Sequence, residues 1–177
     1  MKLLLRFSLC LLVLSCMAGA SSLYVFTYTG TGDYAGDSAT ALLTANPNGD
    51  GTFTAISGSG FWDVTTPIDL FLNPSAPGVE YSTDGLFIYD DQLFPGIDPV
   101  VSNPGLMFSI SLGNETELNI WSNGPGQYEA MMDGSGYNVG SFGSASLAAV
   151  PEPTTLPLVL SGIMGLGFGQ YLRRRRR

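Results

Sequence analysis

From Ser21 to Ala149 the chain contains no lysine, arginine, histidine or cysteine, yet fourteen of its fifteen carboxylates lie in that stretch. No disulfide and no side-chain ion pair can form within it, so apolar burial and backbone hydrogen bonding must hold its fold. Its formal charge of −14 repels phosphate backbones and anionic headgroups, which argues against nucleic acid and against peripheral membrane binding. Divalent cations, neutral glycans and basic surfaces remain as partners. The missing residue types also exclude cysteine nucleophiles, Ser-His-Asp and Ser-Lys arrangements, His/Cys zinc sites and phosphate clamps of Lys or Arg. Only carboxylate chemistry survives. Asp84, Asp90, Asp91, Asp98, Glu115 and Glu117 could supply the two carboxylates of a glycoside hydrolase. A Gly- and Pro-rich body of about 130 residues leaves little room for a deep cleft, so the expectation is a non-enzyme.

The body, residues 21–149, reads as one all-β domain. Apolar and β-branched runs recur between Gly, Pro, Asn and Asp clusters at Leu23 to Thr29, Ala39 to Ala45, Thr52 to Ser57, Ile68 to Leu72 and Gly85 to Tyr89. Four more follow at Leu106 to Leu112, Glu117 to Ser122, Gln127 to Met132 and Val139 to Leu147. Short strands at this spacing predict an antiparallel β-sandwich or a flattened barrel. Asn46 to Gly51 and Asn123 to Gly126 are hairpin loops, rich in residues that tolerate positive φ. Leu118, Ile120, Tyr128, Ala130 and Met132 are expected on a buried face, with Glu117, Asn119 and Glu129 meeting water.

Both ends read as addresses. Residues 1–20 have a basic start at Lys2 and Arg6, an apolar run from Phe7 to Met17, and small residues Ala18 and Ala20 at an A-x-A cleavage site. They are expected to be a secretory signal peptide cleaved after Ala20. Lipoprotein processing at Cys16 is the alternative, poorly matched because bulky Leu14 stands where a small residue is usual. At the other end, Leu156 to Leu172 is uncharged, and a helix rising about 1.5 Å per residue would cross most of a bilayer core. Arg173, Arg174, Arg175, Arg176 and Arg177 then form a cytoplasmic stop, leaving the body on the far side.

The tail, residues 150–177, resembles the PEP-CTERM sorting signal of bacteria that carry an exosortase. Val150, Pro151, Glu152, Pro153 and Thr154, followed by the apolar Gly-rich span and the Arg cluster, carry that resemblance over about a sixth of the chain. It implies Sec export, an inner-membrane-anchored precursor held by a single transmembrane helix, and recognition and cleavage near Pro-Glu-Pro by an integral-membrane transpeptidase-like exosortase. Delivery to the cell surface or to the exopolysaccharide matrix would follow. Thr44 to Thr54, Asn119-Ile120-Trp121 and Gln127-Tyr128 look like strands and a hairpin found in bodies of such proteins.

Within the body, Asn46, Asn48 and Asp50 followed by Gly51 fit the opening of a Ca²⁺ loop. Ser57 stands where the closing bidentate Glu belongs, and a plain hairpin turn is the favoured reading. The expectation is no cofactor, with weak Ca²⁺ binding at clustered carboxylates as the alternative. Trp62, Trp121 and the tyrosines supply core, or sugar-stacking platforms for a glycan. Taken together, the sequence points to an exported structural or adhesive protein of the envelope, extracellular matrix or biofilm. A carbohydrate-binding module for exopolysaccharide is the alternative, and a carboxylate-based glycoside hydrolase the least favoured.

Overall fold

The computed structural model describes residues 21–112, 115–133 and 139–151. Within them lie eleven strands: β1 Ser22–Gly30, β2 Ser38–Pro47, β3 Phe53–Trp62, β4 Thr66–Leu70, β5 Glu80–Tyr81, β6 Ile88–Tyr89, β7 Gln92–Leu93, β8 Leu106–Leu112, β9 Glu115–Gly124, β10 Gln127–Met132 and β11 Val139–Ala149. A 3-10 turn spans Gly32–Tyr34. No helix among the described residues is long and apolar enough to cross a membrane. The signal peptide with Ala18 and Ala20, the motif residues Glu152, Pro153 and Thr154, the apolar span 156–172 and Arg173 to Arg177 lie outside the described residues.

Eight strands close an antiparallel barrel. β1 pairs with β2, β2 with β3 and β3 with β4; β4 pairs with β8, the meander continues through β9, β10 and β11, and β11 returns to β1. The expected sandwich or flattened barrel thus resolves into a closed up-and-down barrel. Pairing of the first strand with the last removes the edges that an open sheet would expose. β7 pairs with Phe53 and Thr54 of β3. Every run expected from the sequence contains strand. β5 and β7, two residues each, are too short to show an alternation.

Strand alternation selects the interior. Tyr24, Phe26 and Tyr28 point inward from β1, and small residues on β2 face two of them: Phe26 pairs with Ala41, Tyr28 with Ala39. On β11, Gly143 gives the Tyr28 ring its place, because a Cβ there would come 2.9 Å from that ring. An eight-stranded barrel has an interior just wide enough to be filled by side chains. Phe26, Tyr28, Leu43, Phe108, Ile120 and Tyr128, all buried, fill it.

The connection between β4 and β8, residues 71–105, is the one long excursion and does two things. It caps one end of the barrel, sending Leu93, Val100 and Val101 into the core. The Tyr128 hydroxyl fastens this cap, donating to Asp98 Oδ1 at 2.7 Å and accepting the Val100 N–H at 2.8 Å. The excursion also covers the outer face of β8, β9 and β10, where Phe87, Tyr89 and Met107 form a second apolar cluster against Phe71 and Met131. Leu118, Ile120, Tyr128, Ala130 and Met132 are buried as expected. Glu117 and Asn119 do not meet water as expected: each is only 4% exposed, since the excursion lies over the face they occupy.

Candidate functional site

The loop that resembled a Ca²⁺ loop uses its oxygens to close a hairpin. Asp50 Oδ1 accepts the Thr52 N–H at 2.9 Å and the Thr52 hydroxyl at 2.6 Å. Asn48 donates from Nδ2 to Thr52 Oγ1 and accepts the Thr54 hydroxyl at Oδ1, both at 2.9 Å, while Asn46 Oδ1 accepts the Ser21 hydroxyl at 2.8 Å. Gly49 and Gly51, at φ of 90° and 91°, provide the left-handed positions that the turn requires. These bonds hold the Asp50 carboxyl below the usual carboxylate range, the Thr52 hydroxyl contributing most.

A different group of carboxylates converges outside the barrel. Asp84, Glu117 and Asp133 each contribute an oxygen to a cluster in which no two ligand atoms are more than 4.8 Å apart. Asp84 stands on the turn between β5 and β6, exposed, and its Oδ1 accepts the Ser82 hydroxyl at 2.6 Å and the Leu86 N–H at 2.8 Å. Those bonds hold its carboxyl below the usual range. Asp133 follows β10 and accepts the Thr116 and Glu117 N–H groups at Oδ1, at 2.9 and 2.5 Å, with the Thr116 hydroxyl on Oδ2 at 3.0 Å. Glu117 accepts the Thr83 N–H at Oε1, 3.0 Å away. Its Oε2 is buried with no hydrogen-bond partner among the described residues.

Sequence reading named Asp84 and Glu117 among the available carboxylates but missed Asp133. The hairpin register contains the signal: Met132 pairs with Leu118, so one further step sets Asp133 opposite Glu117. Their backbones confirm it, with the Asp133 N–H donating to the Glu117 carbonyl at 3.1 Å.

Asp90 and Asp91, named from the sequence among the carboxylates available to a hydrolase, are both buried where the excursion re-enters the barrel. Their N–H groups donate to the Gly105 carbonyl at 3.2 and 3.1 Å. Asp90 Oδ1 accepts the Ser102 hydroxyl and the Gln92 N–H. Asp91 Oδ1 accepts the Met107 N–H at 3.2 Å, and its Oδ2 has no partner among the described residues. Burial pushes the Asp91 carboxyl up to about 8 and raises Asp90 as well, because a charged carboxylate loses its hydration there.

The aromatics are mostly core: Tyr24, Tyr28, Trp62, Tyr89 and Tyr128 are buried, and Trp62 stacks on Tyr28 at 6.1 Å. Trp121 is the exception of interest. It is half-buried on the outer face of β9, in a groove of ≈ 340 Å³ lined also by Leu86, Ile88, Asn103 and Asn119. Its indole N–H donates to Asn123 Oδ1 at 3.2 Å.

At the start of the tail, the Val150 N–H donates to the Leu23 carbonyl at 2.9 Å, and Pro151 is exposed. No family model matches the chain, and neither a curated protein nor a solved structure matches it.

Proposed function

We propose that the chain is an exported envelope or extracellular-matrix protein with a structural or adhesive role, sorted and cleaved by an exosortase at Pro151-Glu152-Pro153. The observation that carries this reading is where the barrel begins and ends. β1 starts at Ser22, two residues after Ala20, and β11 stops at Ala149, two residues before Pro151. Both proposed cuts fall outside the closed ring, so processing would leave all eight strands intact. β1 and β11 run antiparallel, with Tyr24 beside Ala149, so both cut points leave the barrel at the same rim. A Pro-flanked segment is biased to extended backbone, the form a protease groove reads. Pulse-chase of the Pro151→Ala, Glu152→Ala double variant is expected to leave a full-length, membrane-bound precursor. Release at the wild-type rate would sink the sorting reading. Deleting Arg173 to Arg177 is expected to weaken membrane retention of the precursor, since the cytoplasmic stop is lost.

The groove at Trp121 favours a second reading, a carbohydrate-binding module for exopolysaccharide. An indole face beside the exposed Asn103 offers a stacking platform with an amide partner for a sugar hydroxyl. Titration of tryptophan fluorescence with exopolysaccharide fragments tests it, with Trp121→Ala abolishing the response.

A further inference from the structure

We propose that Asp84, Glu117 and Asp133 form a binding site for a hard divalent cation, Ca²⁺ in preference to Mg²⁺, which clamps the β5–β6 turn onto the β9–β10 hairpin. Glu117 and Asp133 stand directly opposite each other across two strands, an arrangement that repels when both are charged. Asp84 brings a third carboxylate from the excursion, so three oxygens share a space no more than 4.8 Å across. From Ser21 to Pro151 there is no lysine, arginine or histidine to neutralise them.

The hydrogen bonds on these groups point the same way. Peptide N–H donors and the Ser82 hydroxyl hold Glu117 at Oε1 and Asp84 at Oδ1. That fixes both carboxyl groups while leaving Glu117 Oε2 without a partner among the described residues, in a side chain only 4% exposed. A buried carboxylate oxygen without a donor is costly unless something positive meets it. The donor set is oxygen only, which selects Ca²⁺ or Mg²⁺ over softer metals. Carboxylates already fixed by peptide donors suit Ca²⁺, which accepts irregular oxygen geometry at about 2.3–2.6 Å, better than Mg²⁺, which demands a near-ideal octahedron at roughly 2.0–2.1 Å. Three carboxylates leave several positions for water, so the affinity expected is that of extracellular modules, a Kd of roughly 10⁻⁴–10⁻³ M. Among the described residues, the Asn46–Asp50 loop has no buried side-chain oxygen left without a partner.

Isothermal titration of the full-length, decalcified chain in detergent with CaCl₂ and with MgCl₂ tests the site. One calcium is expected per chain, with magnesium weaker and with a melting temperature raised by CaCl₂ beyond NaCl of matched ionic strength. Glu117→Gln keeps an acceptor for the Thr83 N–H but removes the charge. It is expected to weaken calcium binding by roughly tenfold or more and, with no cation bound, to melt above the wild type at neutral pH. Asp84→Asn, at an exposed turn position, is expected to lose binding while the barrel stays folded, which keeps the test decisive if Glu117→Gln fails to fold. Asp33→Asn, on the exposed 3-10 turn, is expected to bind as wild type does. A wild type stabilised by acid but not by CaCl₂ would mean that the carboxylates share a proton and would overturn the proposal, as would unchanged calcium affinity in Asp84→Asn.

Discussion

The barrel interior and the excursion laid over its outside obey different rules. Inside, Phe26 and Tyr28 of β1 face Ala41 and Ala39 of β2, and the hydroxyls of Tyr28 and Tyr128 are bonded. Outside, under residues 71–105, the buried set includes Glu117, Asn119, Asp90 and Asp91. Two of its carboxylate oxygens, Asp91 Oδ2 and Glu117 Oε2, have no hydrogen-bond partner among the described residues. One region is built for packing. The other keeps ionisable groups in a dry place, at a cost in stability.

The contrast breaks first if interior and excursion respond alike to truncation. Phe26→Ala, at a fully buried position in the barrel, is expected to cost about 3–5 kcal/mol in denaturant unfolding. Leu86→Ala, on the exposed turn of the excursion, should stay within about 0.5 kcal/mol. Equal losses would mean that the excursion and not the ring carries the stability.

The same division explains what the sequence could reveal. Period-2 alternation located Leu118, Ile120, Tyr128, Ala130 and Met132 because their strands show one face to the core. It placed Glu117 and Asn119 in water on the reasoning that the opposite face is solvated. That holds only while nothing covers the face, and what covers it is a connection whose own strands are two residues long. The cation cluster was illegible for a related reason: Asp84 is thirty-three positions before Glu117, and only tertiary folding brings it near. Closure of the barrel was equally hidden, because pairing of β1 with β11 joins the two ends of the body.

A sharper test uses pH. Asp91 keeps its proton in the fold up to about pH 8, whereas in the unfolded chain it ionises near its ordinary 3.8. Between those values the folded state binds the extra proton, so stability falls as pH rises, by up to roughly 1.4 kcal/mol per pH unit. Asp90, also raised, adds to the trend. Thermal melts at about pH 5 and about pH 7.5 should therefore show the higher melting temperature at the lower pH. Asp91→Asn should flatten much of the slope, and a wild type that melts highest at neutral pH would overturn the account of these buried carboxyls.

Where the two regions meet, the Tyr128 hydroxyl is the fastening. Burial and the bond to Asp98 push its ionisation up to about 12, so it stays a donor over the whole useful range. Tyr128→Phe leaves the buried Val100 N–H without its acceptor and is expected to cost about 1–3 kcal/mol. Its ring remains in the core, so the loss should appear as loosened amide protection in residues 94–101 before the barrel itself opens. A variant as stable as wild type, with unchanged exchange in that cap, would show that apolar packing of Leu93, Val100 and Val101 is sufficient.

The smallest effect expected belongs to Asp50, and its pH dependence should run opposite to that of Asp91. The Thr52 hydroxyl and N–H favour the ionised carboxylate, so its folded pKa is lowered. Its contribution is present above the ordinary carboxylate value and is lost as pH falls through the folded one. Asp50→Ala removes both bonds from a fully solvated turn while Gly49 and Gly51 still supply its left-handed backbone, so the hairpin register should survive. A drop of roughly 1–3 °C in melting temperature is expected near neutral pH, shrinking at about pH 3. In the same acid range Asp91→Asn should also approach the wild type, but from above, because there the native carboxyl is already neutral. Two carboxylates in one chain would then have opposite signs for one physical reason: ionisation is favoured where donors reach the group in water and opposed where the fold has removed the water without supplying enough of them.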